Sequence, residues 1–258
     1  MILAIDIGNT NAVIGIFKGE EKLFSFRIAS EPRRTADELA FNLDGMFRLR
    51  GIDPKDIDGS IISSVVPAFT DAVCKAVNQL TGASPLVIGP GVKTGLNILY
   101  DDPKEVGADR IVNAVGAIDK YSCPLIIIDL GTATTFCVVD SNKNYRGGVI
   151  APGIAISAEA LFLKAAKLPK VELSMPEHFL NKNTVDSIRS GLLYGAVGQI
   201  DYITSNLKQE SGIPEAKVIA TGGLAEVIAD KSEEIDIVDQ DLTLWGLLKI
   251  YEKNTNRR

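Results

Sequence analysis

The chain begins with three short runs rich in apolar residues, and each run is separated from the next by turn residues. The runs are residues 2–7 (ILAIDI), 12–17 (AVIGIF) and 22–28 (KLFSFRI). Runs of this length bounded by turn residues predict three strands of a β-meander. Thr35 is followed three residues later by Glu38, which is the spacing of a helix capping box. This pair predicts a helix that ends near Gly51.

The pattern then continues and starts again in the second half. Residues 60–67 (SIISSVVP) predict a buried strand, and apolar residues on one face of residues 71–80 predict a helix. A second predicted meander follows, then helical sequence and a strand that ends in paired glycines. These runs are PLIIIDLG, TFCVVD, YRGGVI and, for the last strand, KVIATGG.

The sequence therefore predicts an α/β fold made of two copies of a βββαβα unit. Duplication of such a unit is the organisation of the actin-like (ribonuclease H-like) fold that sugar kinases and heat-shock chaperones share. By this analogy we expect two actin-like domains, residues 1–118 and 119–258, with a nucleotide cleft between them. The analogy concerns architecture and does not by itself assign a reaction.

The duplication includes an acidic turn, since Asp6 and Gly8 recur as Asp129 and Gly131. A glycine without Cβ lets phosphate oxygens approach the backbone, where the N–H groups of residues 8–11 and the Thr10 hydroxyl can donate hydrogen bonds. A carboxylate beside phosphates repels them unless a divalent cation lies between, so Asp6 indicates Mg²⁺ reached through water. One copy alone is better explained as a structural Asx turn, but two copies favour a two-sided nucleotide site.

Composition narrows the choice of chemistry and of partners. The net charge is −6, which argues against a broad surface for nucleic acid. No apolar run is long enough to span a membrane, and no secretory leader is recognisable, so we expect a cytoplasmic protein. Three separated cysteines fit neither a disulfide scaffold nor a zinc site. With His178 as its only histidine, the chain lacks the residues of a Ser-His-Asp triad, and a general base would be a carboxylate.

Asp109 and Arg110 stand in the first turn of a predicted helix whose apolar residues begin at Ile111. An aspartate at this position is more often a helix cap than a catalytic group. The arginine can bind a carboxylate ligand through two hydrogen bonds, or it can pair with Glu105. Phosphoryl transfer requires only that such an aspartate accept the hydrogen bond of a substrate hydroxyl and aim its oxygen at the γ-phosphate.

An ordered set of motifs then makes a specific resemblance. The segments occur in the order DIGNT (6–10), SSVVP (63–67), GPGVKTGL (89–96), EVGADR (105–110), DLGTATT (129–135), KNT (182–184), SGLLYG (190–195) and TGGLA (221–225). In this order they resemble type III pantothenate kinase, the bacterial enzyme that commits pantothenate to coenzyme A. The resemblance runs from about Ile2 to Tyr251. It implies an ATP-dependent kinase that uses Mg²⁺ and a monovalent cation, K⁺ or ammonium, and that forms a homodimer.

The resemblance also implies a role for each motif position. Asp109 is expected to accept the proton of the pantothenate hydroxyl, and Asp129 to bind the monovalent cation. The ATP-binding residues are expected to be Thr132 and the first hairpin, with Asp6 addressing Mg²⁺: Asp6, Ile7, Gly8, Asn9, Thr10, Asn11, Ala12 and Val13. The pantothenate-binding residues are expected to be Tyr100, Gly107, Ala108, Asp109, Arg110 and Thr184.

Residues 183–200 (NTVDSIRSGLLYGAVGQI) predict a helix with Thr184 as its N-cap and glycines at positions 191, 195 and 198 on one side. Each of these glycines costs roughly 1 kcal/mol of helix propensity relative to alanine, which indicates a close helix neighbour in the same chain or in a second subunit. Two alternative functions stay open, a kinase for another small acceptor and a non-catalytic metabolite-binding regulator on the same scaffold. Residues 105–110 argue against the first alternative, and the presence of Asp6, Asp109 and Asp129 argues against the second.

Overall fold

The computed structural model describes residues 1–255, which form two mixed sheets with helices packed on them. The strands are β1 (Ile2–Ile7), β2 (Asn11–Lys18), β3 (Glu21–Ala29), β4 (Gly59–Ser64), β5 (Leu86–Val87), β6 (Asn97–Ile98), β7 (Leu125–Leu130), β8 (Ala133–Val139), β9 (Asn144–Pro152), β10 (Lys217–Thr221) and β11 (Ile237–Val238). The helices are α1 (Ala36–Leu49), α2 (Pro67–Thr81), α3 (Ala108–Lys120), α4 (Ile154–Lys164), α5 (Thr184–Ser211), α6 (Ala225–Ala229) and α7 (Leu242–Thr255).

The two sheets repeat one topology, which confirms the predicted duplication. The first sheet has the order β3-β2-β1-β4-β5, and the second has the order β11-β10-β7-β8-β9-β6. In the first sheet, β1, β2 and β3 form an antiparallel meander, and β1 also pairs in parallel with β4. In the second sheet, β7, β8 and β9 form the equivalent meander, and β7 pairs in parallel with β10. The short β6 adds an extra parallel strand to β9 at the edge of the second sheet.

Helix α1 shows how local sequence sets an element. The capping box is confirmed, because Thr35 N donates to Glu38 Oε2 at 2.8 Å and Glu38 N donates to Thr35 Oγ1 at 3.3 Å. Leu39, Leu43 and Phe47 follow at helical spacing and are buried against the first sheet in its hydrophobic core. The helix ends before Gly51, whose φ of 69° is left-handed.

The chain divides into two compact units, each with its own hydrophobic core. The first unit comprises Met1–Gly95, Asp102–Asp119 and the segment from Leu242 onward, and the second comprises Leu96–Asp101 and Lys120–Asp241. Helix α7 contacts β1, β2 and β4, so it belongs to the first unit although it lies at the other end of the chain. The linear division into residues 1–118 and 119–258 stays a prediction about domains, and the compact units depart from it at Leu96–Asp101 and at α7.

Among residues 1–255, no helix combines the length and the apolar character needed to cross a membrane. The cytoplasmic location expected from the sequence stays a prediction.

Candidate active site

The β1–β2 hairpin carries Asp6 at the end of β1 and turns through residues 8–10. Gly8 N donates to Asn11 O at 3.0 Å, and a Cβ on Gly8 would lie 3.2 Å from the same oxygen. The amide of Gly8 therefore closes the turn, which corrects the expectation that it is among the donors to a phosphate. The side chains of Asn9, Thr10 and Asn11 are exposed at the tip.

Neighbouring segments attach this hairpin through main-chain hydrogen bonds. Val65 N donates to Ile7 O at 3.0 Å, and Ser30 N donates to Thr10 O at 3.0 Å. These bonds anchor the backbone on both sides of the turn, at Ile7 and at Thr10, and the polar side chains at the tip remain exposed. Asp6 faces Val13 across the β1–β2 ladder and Ser63 across the β1–β4 ladder.

The β7–β8 hairpin carries Asp129 in the equivalent place and has a tighter turn, in which Gly131 N donates to Ala133 O at 3.2 Å. Two glycines from distant segments contact it. A Cβ on Gly153 would lie 2.2 Å from Thr132 O and 2.6 Å from Gly131 O, and a Cβ on Gly222 would lie 2.7 Å from Leu130 O. Only glycine fits at these two contacts. In the sequence, the pair Pro152-Gly153 after a predicted strand is the only indication of a special role for Gly153.

A main-chain carbonyl oxygen, that of Leu130, lies near the Asp129 carboxylate. A Cβ on Gly222 would lie 2.8 Å from Asp129 Oδ1 as well as close to Leu130 O, so these two oxygens approach the same point. Among residues 1–255, no group of three or more His, Cys, Asp or Glu side chains is arranged to hold a metal ion.

Asp109 lies in the first turn of α3, whose opening hydrogen bond runs from Ile111 N to Gly107 O at 3.2 Å. Its Oδ1 atom accepts a hydrogen bond from Arg110 N at 2.8 Å, and its side chain is partly exposed. A Cβ on Gly107 would lie 2.5 Å from the same Oδ1, so glycine is needed there to leave the carboxylate in place. The positive end of the α3 dipole is directed at this carboxylate.

Arg110 is a buried residue, only 8% exposed. Its Nη2 atom donates to the main-chain oxygen of Glu105 at 3.3 Å. Residues Pro103–Glu105 form a short 3₁₀ turn that is capped by Asp102, whose Oδ1 accepts from Lys104 N at 3.0 Å. Arg110 therefore contacts the Glu105 backbone and steadies the segment before α3. The sequence left two partners open for Arg110, a carboxylate ligand and Glu105. The structure shows a contact with Glu105, made through the main-chain oxygen of Glu105.

Tyr100 follows the edge strand β6 in the second unit and is half-buried. Leu99 N donates to Tyr145 O at 2.8 Å, and Asn97 Nδ2 donates to Asn144 Oδ1 at 2.7 Å. The turn before β9 is fixed by Asp140. Burial acts to raise the pKa of Asp140, but hydrogen bonds from Asn144 and Asn142 lower it overall. The strand β6, which precedes Tyr100, is thus attached to a turn that several hydrogen bonds hold in place.

Helix α5 corrects one expectation, because its N-cap is Asn183 and Thr184 is the first helical residue. Asn183 Oδ1 accepts a hydrogen bond from Asp186 N at 2.8 Å. Asparagine caps helices as well as threonine does, and adjacent candidates cannot be separated by type alone. Thr184 is exposed.

The glycine side of α5 is open. Gly191, Gly195 and Gly198 are exposed, and within the described chain no heavy atom lies within 4 Å of a Cβ built on any of them, apart from the chain neighbours and the backbone of the helix itself. Within residues 1–255, these glycines therefore do not accommodate a close helix from the same chain.

The candidate residues divide between the units. The first unit carries the hairpin residues 6–13 and the segment from Gly107 to Arg110, and the second unit carries Tyr100, Asp129, Thr132 and Thr184. The nucleotide cleft expected between two domains stays a prediction.

Comparison with known proteins identifies relatives over the whole chain. The profile of the type III pantothenate kinase family matches residues 2–206. A type III pantothenate kinase of Geobacillus sp. is 51% identical over 258 residues, which is 100% of both chains. A type III pantothenate kinase of Halalkalibacterium halodurans is 50% identical over 254 residues, 98% of this chain and 100% of the relative.

The solved structures extend the likeness to more distant proteins. A putative 2-dehydro-3-deoxygalactonokinase from Sinorhizobium meliloti superposes with a TM-score of 0.60, covers 100% of both chains and is 11% identical. At this identity the likeness shows the fold alone. The fold is that of the actin-like ATPases and sugar kinases, as the duplicated βββαβα pattern of the sequence predicts.

Proposed function

This chain belongs to the type III pantothenate kinase family and is a phosphotransferase that phosphorylates pantothenate in coenzyme A biosynthesis, and we propose that Asp109 accepts the proton of the substrate hydroxyl. The observation that carries the proposal is the placement of Asp109. One carboxylate oxygen is held by the Arg110 amide, Gly107 leaves room for it, and the side chain stays partly exposed.

In the proposed reaction the primary hydroxyl oxygen of pantothenate forms a bond to the γ-phosphorus of ATP. The bond between the γ-phosphorus and the β–γ bridging oxygen breaks, ADP leaves, and the hydroxyl proton passes to the Asp109 carboxylate. Because the transition state is loose, the carboxylate mainly aligns the hydroxyl and takes up its proton late. A weak base is sufficient for that task.

We assign the phosphates of ATP to the β1–β2 hairpin, residues 6–13, together with Thr132. The exposed amide and hydroxyl side chains of Asn9, Thr10 and Asn11 support this assignment. Asp6 would hold Mg²⁺ through water, and the ion would neutralise charge on the phosphates. The hairpin itself contributes a fixed backbone that the phosphates approach from the tip.

We assign pantothenate to Tyr100, the segment from Gly107 to Arg110, and Thr184. The backbone of residues 107–110 is held by Arg110 and by the start of α3, so it can present a fixed surface to the substrate. The buried position of Arg110 makes it a support of this segment in addition to a partner for the pantothenate carboxylate.

Asp129 is our candidate for the monovalent cation, K⁺ or ammonium. The main-chain oxygens around the β7–β8 turn support it, because carbonyl oxygens replace the hydration shell of K⁺. The cation would fix the turn that carries Thr132.

We also propose a homodimer that uses the glycine side of α5. Tyr202 continues the line of Gly191, Gly195 and Gly198 at helical spacing, and it is 72% exposed. Three glycines that cost helix propensity, next to an exposed aromatic ring, fit a surface that a second copy of α5 covers closely.

The test is ADP release by the purified protein with pantothenate, MgATP and K⁺. Parallel reactions omit pantothenate or replace K⁺ by Na⁺. We expect turnover that requires pantothenate and falls without K⁺. No pantothenate-dependent turnover in a folded protein that binds ATP would contradict the assignment of the substrate.

The role of Asp109 is tested in the same assay with Asp109→Asn. General-base groups contribute about 100-fold or more to turnover, so we expect kcat to fall by at least that factor while ATP binding changes little. Asp102→Asn is the matched control, because Asp102 also accepts a main-chain hydrogen bond at a helical turn and should keep its activity. Near wild-type kcat in Asp109→Asn would remove Asp109 from the mechanism.

A further inference from the structure

Tyr145 is the largest fully buried side chain in the second unit, and it lies directly beside Tyr100. The two ring centroids are 6.5 Å apart with an interplanar angle of 55°. This is within the range in which aromatic pairs attract each other beyond their buried area. The Tyr145 main chain also accepts the hydrogen bond from Leu99 N at 2.8 Å. One residue therefore holds both the backbone next to Tyr100 and the Tyr100 ring.

The Tyr145 ring is itself held at its far end. Its hydroxyl donates to Cys137 Sγ at 3.4 Å, and Cys137 is only 2% exposed on the neighbouring strand β8. The ring therefore has a fixed direction within the sheet, with its hydroxyl bonded on one side and Tyr100 packed against it on the other.

The backbone at Gly147 lies close to the Tyr100 ring. A Cβ on Gly147 would lie 3.5 Å from Tyr100 Cε2 and 3.6 Å from Cδ2, so the ring rests close to this part of the backbone. Gly147 has a φ of 117°, which L side chains rarely adopt. The local register also shifts, since Val138 pairs with Gly147 but Val139 pairs with Tyr145. Such a bulge adds one residue and re-aims side chains, often next to active sites.

We propose that Tyr145 and Gly147 form a seat that positions Tyr100 for pantothenate, and this inference rests on the proposed function of Tyr100. Neither residue needs to touch the substrate. Together they restrict the Tyr100 ring from two sides, so its conformation is selected before the substrate binds. A pre-ordered ring lowers the entropic cost of binding pantothenate.

The test compares substitutions by steady-state kinetics and thermal unfolding. Tyr145→Leu removes the ring contact, and we expect KM for pantothenate to rise about tenfold while KM for ATP stays within about twofold. Tyr145→Phe keeps the ring and should restore KM for pantothenate to within about twofold of wild type. Phe136→Leu is the matched control, because Phe136 is equally buried on β8 in the core of the same unit. It should lower thermal stability without changing KM for pantothenate.

A double substitution separates positioning from general destabilisation. If Tyr145 acts through Tyr100, then Tyr100→Leu with Tyr145→Leu should have the same KM for pantothenate as Tyr100→Leu alone. If Tyr145→Leu yields no folded protein, Gly147→Ala replaces it, since an alanine is strained at a φ of 117° and shifts the backbone that lies beside the Tyr100 ring. It should also raise KM for pantothenate and leave KM for ATP unchanged.

Three results would overturn the seat. These are an unchanged KM for pantothenate in folded Tyr145→Leu or Gly147→Ala, an equal rise in Phe136→Leu, and full additivity in the double substitution. A wild-type protein without pantothenate-dependent turnover would instead overturn the proposed function, and the seat with it. Wild-type turnover with flat KM values overturns the seat alone.

Discussion

The β1–β2 hairpin and the β7–β8 hairpin carry the same acidic motif, yet the protein supports them by different means. Main-chain hydrogen bonds from Ser30 and Val65 attach the first hairpin and leave its tip exposed. The turn of the second hairpin is one residue shorter, and the backbones of Gly153 and Gly222 pack closely against its carbonyl oxygens. Duplicated sequence has thus produced one accessible turn and one packed turn.

The difference suits different ligands. Nucleotide phosphates are large and must approach a turn from solvent, so the exposed tip of the β1–β2 hairpin fits them. A monovalent cation is small and is bound by oxygens that replace its water, so the Asp129 carboxylate and the nearby main-chain oxygen of Leu130 support our proposal that the cation binds there. The comparison leads us to assign the two equivalent aspartates to two different ions.

The largest expected effect comes from removing each carboxylate separately, in Asp6→Asn and Asp129→Asn. We expect each to lower kcat by about 100-fold under standard conditions, as loss of a group that stabilises transition-state charge commonly does. Turnover measured against Mg²⁺ concentration and against K⁺ concentration then separates them. Asp6→Asn should shift the Mg²⁺ dependence and keep the K⁺ dependence, and Asp129→Asn should do the reverse.

Each of these variants serves as the control for the other. Both have lost one carboxylate from the end of an equivalent strand, so a general effect of charge removal is matched. Identical shifts in the two titrations would contradict the division of roles between the hairpins.

The next effect concerns stability at the packed turn, tested by Gly153→Ala. Its Cβ would lie 2.2 Å from Thr132 O, and relieving such overpacking costs about 3 kcal/mol of unfolding free energy. Gly8→Ala should cost less, about 1 kcal/mol, because its Cβ would lie 3.2 Å from Asn11 O. Urea unfolding followed by circular dichroism measures both changes.

Gly45→Ala provides the control for this series. Gly45 lies in α1, and a Cβ there would meet no atom within 4 Å. Replacing an exposed helical glycine by alanine should raise the free energy of unfolding by about 1 kcal/mol. If Gly153→Ala proved no more destabilising than Gly8→Ala, the packed and the accessible turn would not differ as described.

These residues also explain how much could be predicted from the sequence. Local signals were sufficient for the meanders and for the Thr35 capping box, because alternation and cap spacing act within a few residues. They were insufficient at α5, where Asn183 and Thr184 are adjacent and both belong to the residue types favoured at N-caps. The seat of Tyr100 depends on pairing between β6 and β9, far apart in the chain, and no local pattern reports such pairing.

The same limit applies to the close contact of Gly153. The need for glycine at this position arises from the carbonyl oxygens of residues 131 and 132 on another part of the chain. A glycine beside a proline reads locally as a turn, so its packing role is visible only in the fold. The grouping of α7 with the first unit is long-range in the same way.

The smallest of the three main effects concerns assembly, and it compares one exposed glycine in each unit. Gly195→Leu places a bulky side chain on the glycine side of α5, where the proposed homodimer requires close approach. We expect the dimer dissociation constant to rise about tenfold, equivalent to about 1.4 kcal/mol, as measured by sedimentation velocity over a concentration series. Gly45→Leu makes the same change on α1, also at a glycine without a neighbour within 4 Å, and should leave assembly unchanged.

The same two variants also test the alternative, in which two copies make contact through α1 of the first unit. Helix α1 exposes Phe41 (81%) and Leu49 (79%) on the same side as Gly45, so it offers an apolar surface of its own. If Gly45→Leu altered sedimentation and Gly195→Leu did not, the contact between copies would lie on the first unit. The glycines of α5 would then require another explanation. If only Gly195→Leu weakens the dimer, the two units differ in assembly as well as in their hairpins, and the second unit carries the contact between copies.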